Sequence, residues 1–144
     1  MELKKGIAVT IKLATKVTQQ NESQEFLFDL TGQLVKMGDT LYLRYKEVQE
    51  AGAEIPVTIK LLPDGTIHLT RAAEMRLKLK FAYKERVETT YKSPYGMMFF
   101  STFTKNLHVS LKDQPTSGSV YLEYDLYTGE EKVGEYQISL EFSA

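Results

Sequence analysis

Tyr91-Lys92-Ser93-Pro94-Tyr95-Gly96, followed at once by Met97-Met98-Phe99-Phe100-Ser101-Thr102-Phe103-Thr104, is the stretch on which the reading of the chain turns. Pro94 fixes φ and offers no N–H to a ladder, so a strand climbing from Val87 ends there. Gly96 supplies the permissive backbone of a hairpin corner. The strand beyond it carries the heaviest apolar load in the sequence. On continuous alternation Met97, Phe99 and Phe103 share a face with Leu107, Val109 and Leu111, through a bend near Lys105-Asn106.

Working outward, the same period recurs. Ile7, Val9, Ile11 and Leu13 alternate with Ala8, Thr10, Lys12 and Ala14, as on a half-buried strand. The polar run Gln19 to Gln24 reads as a loop. Phe26, Phe28 and Leu30 share the next face, and Gly32 marks a kink or bulge. After a turn at Met37-Gly38-Asp39 come Leu41, Leu43 and Tyr45. Glu47 to Glu54 is a loop, then Ile55, Val57, Ile59 and Leu61 resume. Pro63-Asp64-Gly65 is a turn with a mechanism, Pro setting φ and Gly free to take φ > 0. Thr66 to Arg71 is its return strand. The best-patterned strand is Glu74 to Tyr83. Its Leu, Met, Lys and Arg favour helix, but apolar residues two apart line up on a strand and scatter around a helix. Asp113 to Ser119 is a loop by composition. Val120, Leu122, Tyr124 and Leu126 then turn at Thr128-Gly129-Glu130-Glu131 into Tyr136, Ile138, Leu140 and Phe142. The expected fold is all-β: one antiparallel meander of roughly eight to ten strands, closed into a barrel to remove its edges.

The 144 residues fit one domain spanning 1–144. Eighteen Lys and Arg against 19 Asp and Glu leave a net charge of −1, so nothing draws the whole chain to nucleic acid or anionic lipid. No cysteine is present, which excludes disulfides and thiolate chemistry. The N-terminus lacks an apolar h-region and no run reaches membrane-spanning length. We therefore expect a soluble, cytoplasmic protein, neither membrane-bound nor bound to nucleic acid, with no cofactor and no metal. The sequence gives no oligomeric state.

Several pieces together resemble the YwiB-like family. They are Leu41-Tyr42-Leu43-Arg44-Tyr45 with Glu47, Ile67-His68-Leu69-Thr70-Arg71, Tyr91 to Gly96, Phe103-Thr104 with Leu107, and Leu122-Glu123-Tyr124-Asp125-Leu126. Their order and spacing, spread from Thr31 to Phe142, carry the likeness. The resemblance implies a small cytoplasmic protein of Gram-positive bacteria with a lipocalin-like (calycin) barrel. It implies no reaction.

No nucleophile elbow, P-loop or dinucleotide fingerprint is present, so an enzyme is not expected. Arg71 shares parity with Ile67 and Leu69, so an unbroken strand aims its guanidinium inward, to hold an anionic head group or pair with a barrel carboxylate, whereas a bulge at Ala72-Ala73 turns it outward. Tyr45, Tyr83, Tyr91, Tyr124 and Tyr136 lie on apolar parities, either lining a pocket or standing at the rims with wet hydroxyls. Ser101 adds a short polar group there. The candidate ligand site is thus Arg71, Tyr45, Tyr91, Tyr124 and Ser101 with Phe99 and Phe103, around a small apolar or acidic amphipathic ligand inside the barrel. A regulatory or protein-interaction module using the outer face is the alternative. His68 and His108 alternate with apolar neighbours and face outward. Glu123, Asp125 and Glu135 belong to the polar face. Arg76, Lys78 and Lys80, with Lys84 and Arg86, form a basic row, but Phe81 and Tyr83 lie on the opposite parity and give it no aromatic company.

Overall fold

The computed structural model describes residues 6–48, 52–72, 76–113 and 116–144, with the side chains of 91–93 and 113 left out. Expectations for Glu74, Met75 and Ala73, for the middle of the Glu47–Glu54 loop, and for Gln114-Pro115 fall outside these residues. Ten strands form one antiparallel sheet: β1 (Ile7–Gln19), β2 (Glu22–Met37), β3 (Thr40–Val48), β4 (Glu54–Leu61), β5 (Ile67–Ala72), β6 (Arg76–Phe81), β7 (Arg86–Ser93), β8 (Gly96–Asp113), β9 (Thr116–Thr128) and β10 (Glu131–Ser143). Their order is β6-β5-β4-β3-β2-β1-β10-β9-β8-β7. Each strand neighbours its sequence successor, except that β6 and β7 stand at the two ends. The sheet curls until those ends approach, and a nearly closed barrel results.

Closure at that seam uses the 82–85 connection. Lys84 N–H donates to Thr104 O at 2.8 Å, and the Thr102 hydroxyl donates to Lys80 O at 2.5 Å. The other potential seam, between the two ends of the chain, is a full ladder from Thr10↔Ser143 to Thr18↔Glu135. Joining β1 to β10 leaves no free edge there.

Inside, the alternating faces meet as expected. Leu43, Phe81 and Leu140 are fully buried, and Ile11, Ile67 and Leu122 nearly so. Phe81 packs on Tyr124 with ring centroids 4.5 Å apart, and Tyr124 stacks on Tyr136 at 5.2 Å. Among the described residues, one cluster of buried apolar side chains occupies the interior, as in barrels of small radius.

Locally the structure departs from the sequence pattern in several places. The polar run at 19–24 is a two-residue turn, with strand on both sides. Gln20 and Asn21 take positive φ (50° and 65°), the geometry whose twist matches a tight hairpin. Gly32 carries no bulge. It pairs in register with Val9 and with Tyr45, but a Cβ there would stand 2.4 Å from Arg44 O and 2.7 Å from Ile11 Cδ1. Its bare backbone permits close approach. Thr116 to Ser119, a loop by composition, is strand paired with β8, and its Gly118 leaves the space a Cβ would fill to the Phe142 ring. β6 stops at Phe81, and Tyr83 is exposed rather than interior.

The largest revision concerns β8. Its register with β9 shifts between Thr104 and Asn106, so Lys105 is an extra, bulged residue. A one-residue insertion swaps the faces of everything before it. Leu107 and Val109 keep the interior parity, opposite Leu122 and Val120. Above the bulge it is Phe100, Thr102 and Thr104 that face inward, with Thr102 and Thr104 at 1% and 0% exposure. Phe99, Ser101 and Phe103 belong to the outer face. The corner at Pro94-Tyr95 stands where the sequence placed it, with Ser93 paired to Gly96. The heavy apolar load does not go to the core, however. β9 ends opposite Phe100, so Met97 and Phe99 overhang it and are more than half exposed.

The bulge makes two adjacent phenylalanines unequal. Phe100→Asp should cost about 3 kcal/mol or more, since Phe100 packs against the core. Phe99→Asp should stay within about 0.5 kcal/mol. Urea denaturation of both variants measures this, and the reverse ranking would restore the unbroken alternation.

Candidate functional site

Strand pairing sets Tyr45, Val57, Arg71 and Leu77 in one cross-strand row. All carry interior parity, so Arg71 does turn inward. Its partner comes from the protein itself. Glu47, two residues beyond Tyr45 on the same face, accepts from Arg71 Nε at 3.0 Å and Nη2 at 2.7 Å. The pair caps one end of the barrel, with the Arg71 side chain 38% and the Glu47 side chain 18% exposed. Tyr45 lies beneath it, 6% exposed. Its hydroxyl is held well above the ordinary tyrosine range, by burial first and by the Glu47 charge second, with Arg71 acting the other way.

The remaining candidates are scattered. Tyr124 is in the core between Phe81 and Tyr136, its hydroxyl likewise raised by burial. Ser101 is buried on the outer face beneath Arg86, whose Nε donates to its hydroxyl at 3.1 Å. Arg86 also donates to Gly129 O and lies 4.4 Å over the Tyr127 ring. Phe103 is half-buried on that outer side and Phe99 overhangs. Tyr91 pairs with Met98 through its backbone, and its side chain is outside the described residues. Of the seven candidates, the fold brings Arg71 and Tyr45 together.

A different site emerges beside them. β2 pairs with β3 only from Gly32 to Met37, while its earlier half, Glu22 to Thr31, pairs with β1 alone. The strands therefore part at Gly32, leaving an open-sided cleft of about 1010 Å³. Its floor takes interior-facing Ile11, Leu30, Tyr45 and Val57, and its walls include Lys12, Arg44 and Lys46 together with the carboxylates of Asp29 and Glu54. Gly32 was the sequence signal for this parting. Nothing in the sequence told where the β2–β3 ladder would begin.

On the far side, the carboxylates expected to be solvated form a compact network. Lys105, from the bulge, reaches Asp125 at 3.2 Å, and Lys132 reaches Asp125 at 3.5 Å and Glu135 at 2.8 Å. Asn106 and Tyr121 both donate to Glu123. Among the described residues, no three His, Asp or Glu side chains gather as metal ligands, and no helix is long and apolar enough to cross a membrane.

A nearly closed, ten-stranded antiparallel barrel with a filled interior defines the structural class. The sequence matches the family described as a domain of unknown function, DUF1934, over residues 11–140. The chain belongs to that family. Its fold is similar to the crystal structure of the ywiB protein from Bacillus subtilis, with a TM-score of 0.80 at 18% identity, covering 98% of this chain and 94% of that one. A structure of unknown function from Bacteroides ovatus aligns over 94% of this chain and 41% of its own, with a TM-score of 0.37 at 13% identity. No functionally curated protein matches the sequence.

The two buried tyrosines, Tyr45 and Tyr124, give a pH signature. Each keeps its proton in the folded state above pH ~10, where the unfolded chain loses it. Their contribution is complete below pH ~10 and falls as pH rises toward the folded values, by about 1.4 kcal/mol per pH unit for each. Tyr124→Phe should flatten the decline in stability between about pH 10 and 11.5, measured by urea denaturation. An unchanged slope would remove Tyr124 as a source.

Proposed function

We propose that the protein is a non-catalytic, cytoplasmic binding protein that takes a small acidic amphipathic molecule in the Gly32 cleft. One observation carries the reading: the parting of β2 and β3 exposes apolar barrel-interior side chains directly beside cationic ones. Ligand sites are concave, mostly apolar, and oriented by a few polar groups. Here Ile11, Leu30 and Val57 offer an apolar floor, and Arg44 and Lys12 offer charge at the mouth. The lipocalin-like resemblance favours a ligand in the barrel interior. The packed core argues for its margin instead, since an interior ligand would have to displace side chains packed at near-crystal density.

Arg71 has a structural part in this reading. With its guanidinium already committed to Glu47, it holds the barrel end over Tyr45, and the head group goes to Arg44. The same cleft could serve a sensor as well as a carrier, since binding there would press on the β2–β3 ladder.

A fatty acid of medium chain length should raise the melting temperature of the wild type, by preferential binding to the folded state. Arg44→Met should weaken that response by the roughly 1.5–3 kcal/mol of a charge-assisted hydrogen bond, while a neutral alcohol of equal length is unaffected. Arg71→Met should lower the unliganded melting temperature and leave the ligand-induced shift intact. A thermal-shift panel on the three proteins decides this. Silence of the wild type toward every amphiphile would remove the cleft as a ligand site.

A further inference from the structure

The net charge of −1 conceals a segregation that the register makes visible. On the outer face of β3 to β6, Tyr42, Lys60, His68 and Lys80 form one cross-strand row. Arg44, Thr58, Thr70 and Lys78 form the next. Lys46 and Arg76 extend the face beyond them. The cations are Arg44, Lys46, Lys60, Arg76, Lys78 and Lys80. Among the described residues Glu54 is the carboxylate of this face, 3.5 Å from Lys46, and it is the salt-bridge partner of that lysine alone.

The face has relief as well as charge. Thr58 and Thr70 are short and sit on the two middle strands, between the long side chains of β6 and β3. Strands spaced by about 4.8 Å put those two cationic walls roughly 14 Å apart. Along β6, Arg76, Lys78 and Lys80 recur every second residue, at about 6.7 Å, a length comparable to the phosphate repeat of an extended single strand. On the β3 wall itself, next to Arg44, stands an aromatic ring. Tyr42 is approached by Lys60 Nζ at 5.3 Å and Arg44 Cζ at 5.6 Å. The expectation against nucleic acid rests on the balanced net charge and on the lack of an aromatic beside the basic row, and the structure bears on the second ground. Tyr42 supplies the aromatic.

We propose that this face binds single-stranded RNA, with phosphates along Lys78 and Lys80 and a base stacked on Tyr42. A sheet face with cations and a stacking ring suits a strand whose bases are free; a duplex hides its rings. An anionic membrane is a poorer fit, because among the described residues this face carries a single large exposed apolar side chain, Val48 at its margin, while Leu27, Met97 and Phe99 stand on other strands. His68 reports the local field. Burial and the nearby Lys78, Lys80 and Lys60 charges depress its pKa, with Asp64 opposing, so it adds no charge to the face near neutral pH.

Fluorescence anisotropy of a labelled uridine-rich RNA against the full chain, titrated with salt, tests the proposal. The wild type should bind at low salt and weaken steeply toward ~0.2 M. Lys78→Glu with Lys80→Glu should lower the affinity at least about tenfold and flatten the log–log salt slope by about 1.4, two phosphate contacts at about 0.7 each. Tyr42→Ala should lose about tenfold with the slope unchanged, and Tyr42→Phe should recover it. Lys16→Glu, on β1, should bind as the wild type does. Absence of salt-dependent binding, or a lysine double variant indistinguishable from wild type, would overturn the proposal. So would equal affinity for duplex RNA or for phosphatidylserine vesicles.

Discussion

The bulge at Lys105 is the local constraint on which most of the structure depends. β8 is 18 residues long, the longest strand of the sheet, and must serve two roles. Its lower half pairs with β9 alone and adds Leu107 to the core, while its upper half pairs with β9 and β7 together. Its upper half must hold β7 and close the seam with β6. One inserted residue separates the two. It places Thr102 where its hydroxyl can meet Lys80 O, and Thr104 where its carbonyl can accept from Lys84. A continuous alternation would have sent Phe103 and Ser101 inward there, large and small where the seam holds two residues of middle size, one of which, Thr102, hydrogen-bonds through its side chain. A second register shift, between Lys132 and Gly134 on β10, lies across β9 from the first. Lys105 and Lys132 then converge on the same carboxylate, Asp125, so the two irregularities are bound together by charge as well as by backbone.

The global fold was legible because alternation is a strong signal when repeated over ten strands. Ile7 to Leu13 and Tyr136 to Phe142 read correctly, residue by residue, and so did the turns at Gly38, Gly65 and Gly129. Parity fails only when a residue is inserted, and an inserted lysine looks like any exposed lysine. The sequence pointed to a bend at Lys105-Asn106 but had no means of telling a bend from a bulge, and those differ by an exchange of faces. Composition misled in a second way. Gln19 to Gln24 and Thr116 to Ser119 are polar and were read as loops. Polar residues on overhanging or outer-facing positions form strand as readily once the ladder passes through them.

The candidate site was legible in part, for a related reason. Parity aims Arg71 inward only if the strand runs unbroken through it, and its in-register pairing with Val57 and Leu77 meets that condition. Whether an inward arginine meets a ligand or a carboxylate depends on which strand lies two places away, and that is a fact of register. Glu47 belongs to the same inward face as Tyr45, and the β3–β4–β5 register carries it within reach of Arg71. The guanidinium is thereby neutralised and fixed, and the barrel end gains a polar cap over a filled core. What remains open to a guest is the margin where β2 leaves β3, a site created by backbone divergence and marked in the sequence by one glycine.

The two proposed surfaces share a cause. A barrel that fills its own interior leaves recognition to its outer face and to gaps between strands, and on both the cross-strand register decides which charges become neighbours. On β8 to β10 it interleaves Lys105 and Lys132 with Asp125, Glu123 and Glu135, and the charges cancel locally. On β3 to β6 it aligns Lys60 and Lys80 in one row and Arg44 and Lys78 in the next, with Glu54 as the counter-charge at the margin. Total charge cannot distinguish a mixed face from a segregated one. Like charges two strands apart in water repel weakly, so such a face costs little stability. It also gives the molecule a polarity, basic on one side and internally neutralised on the other, that would orient it toward a polyanion before any contact is made.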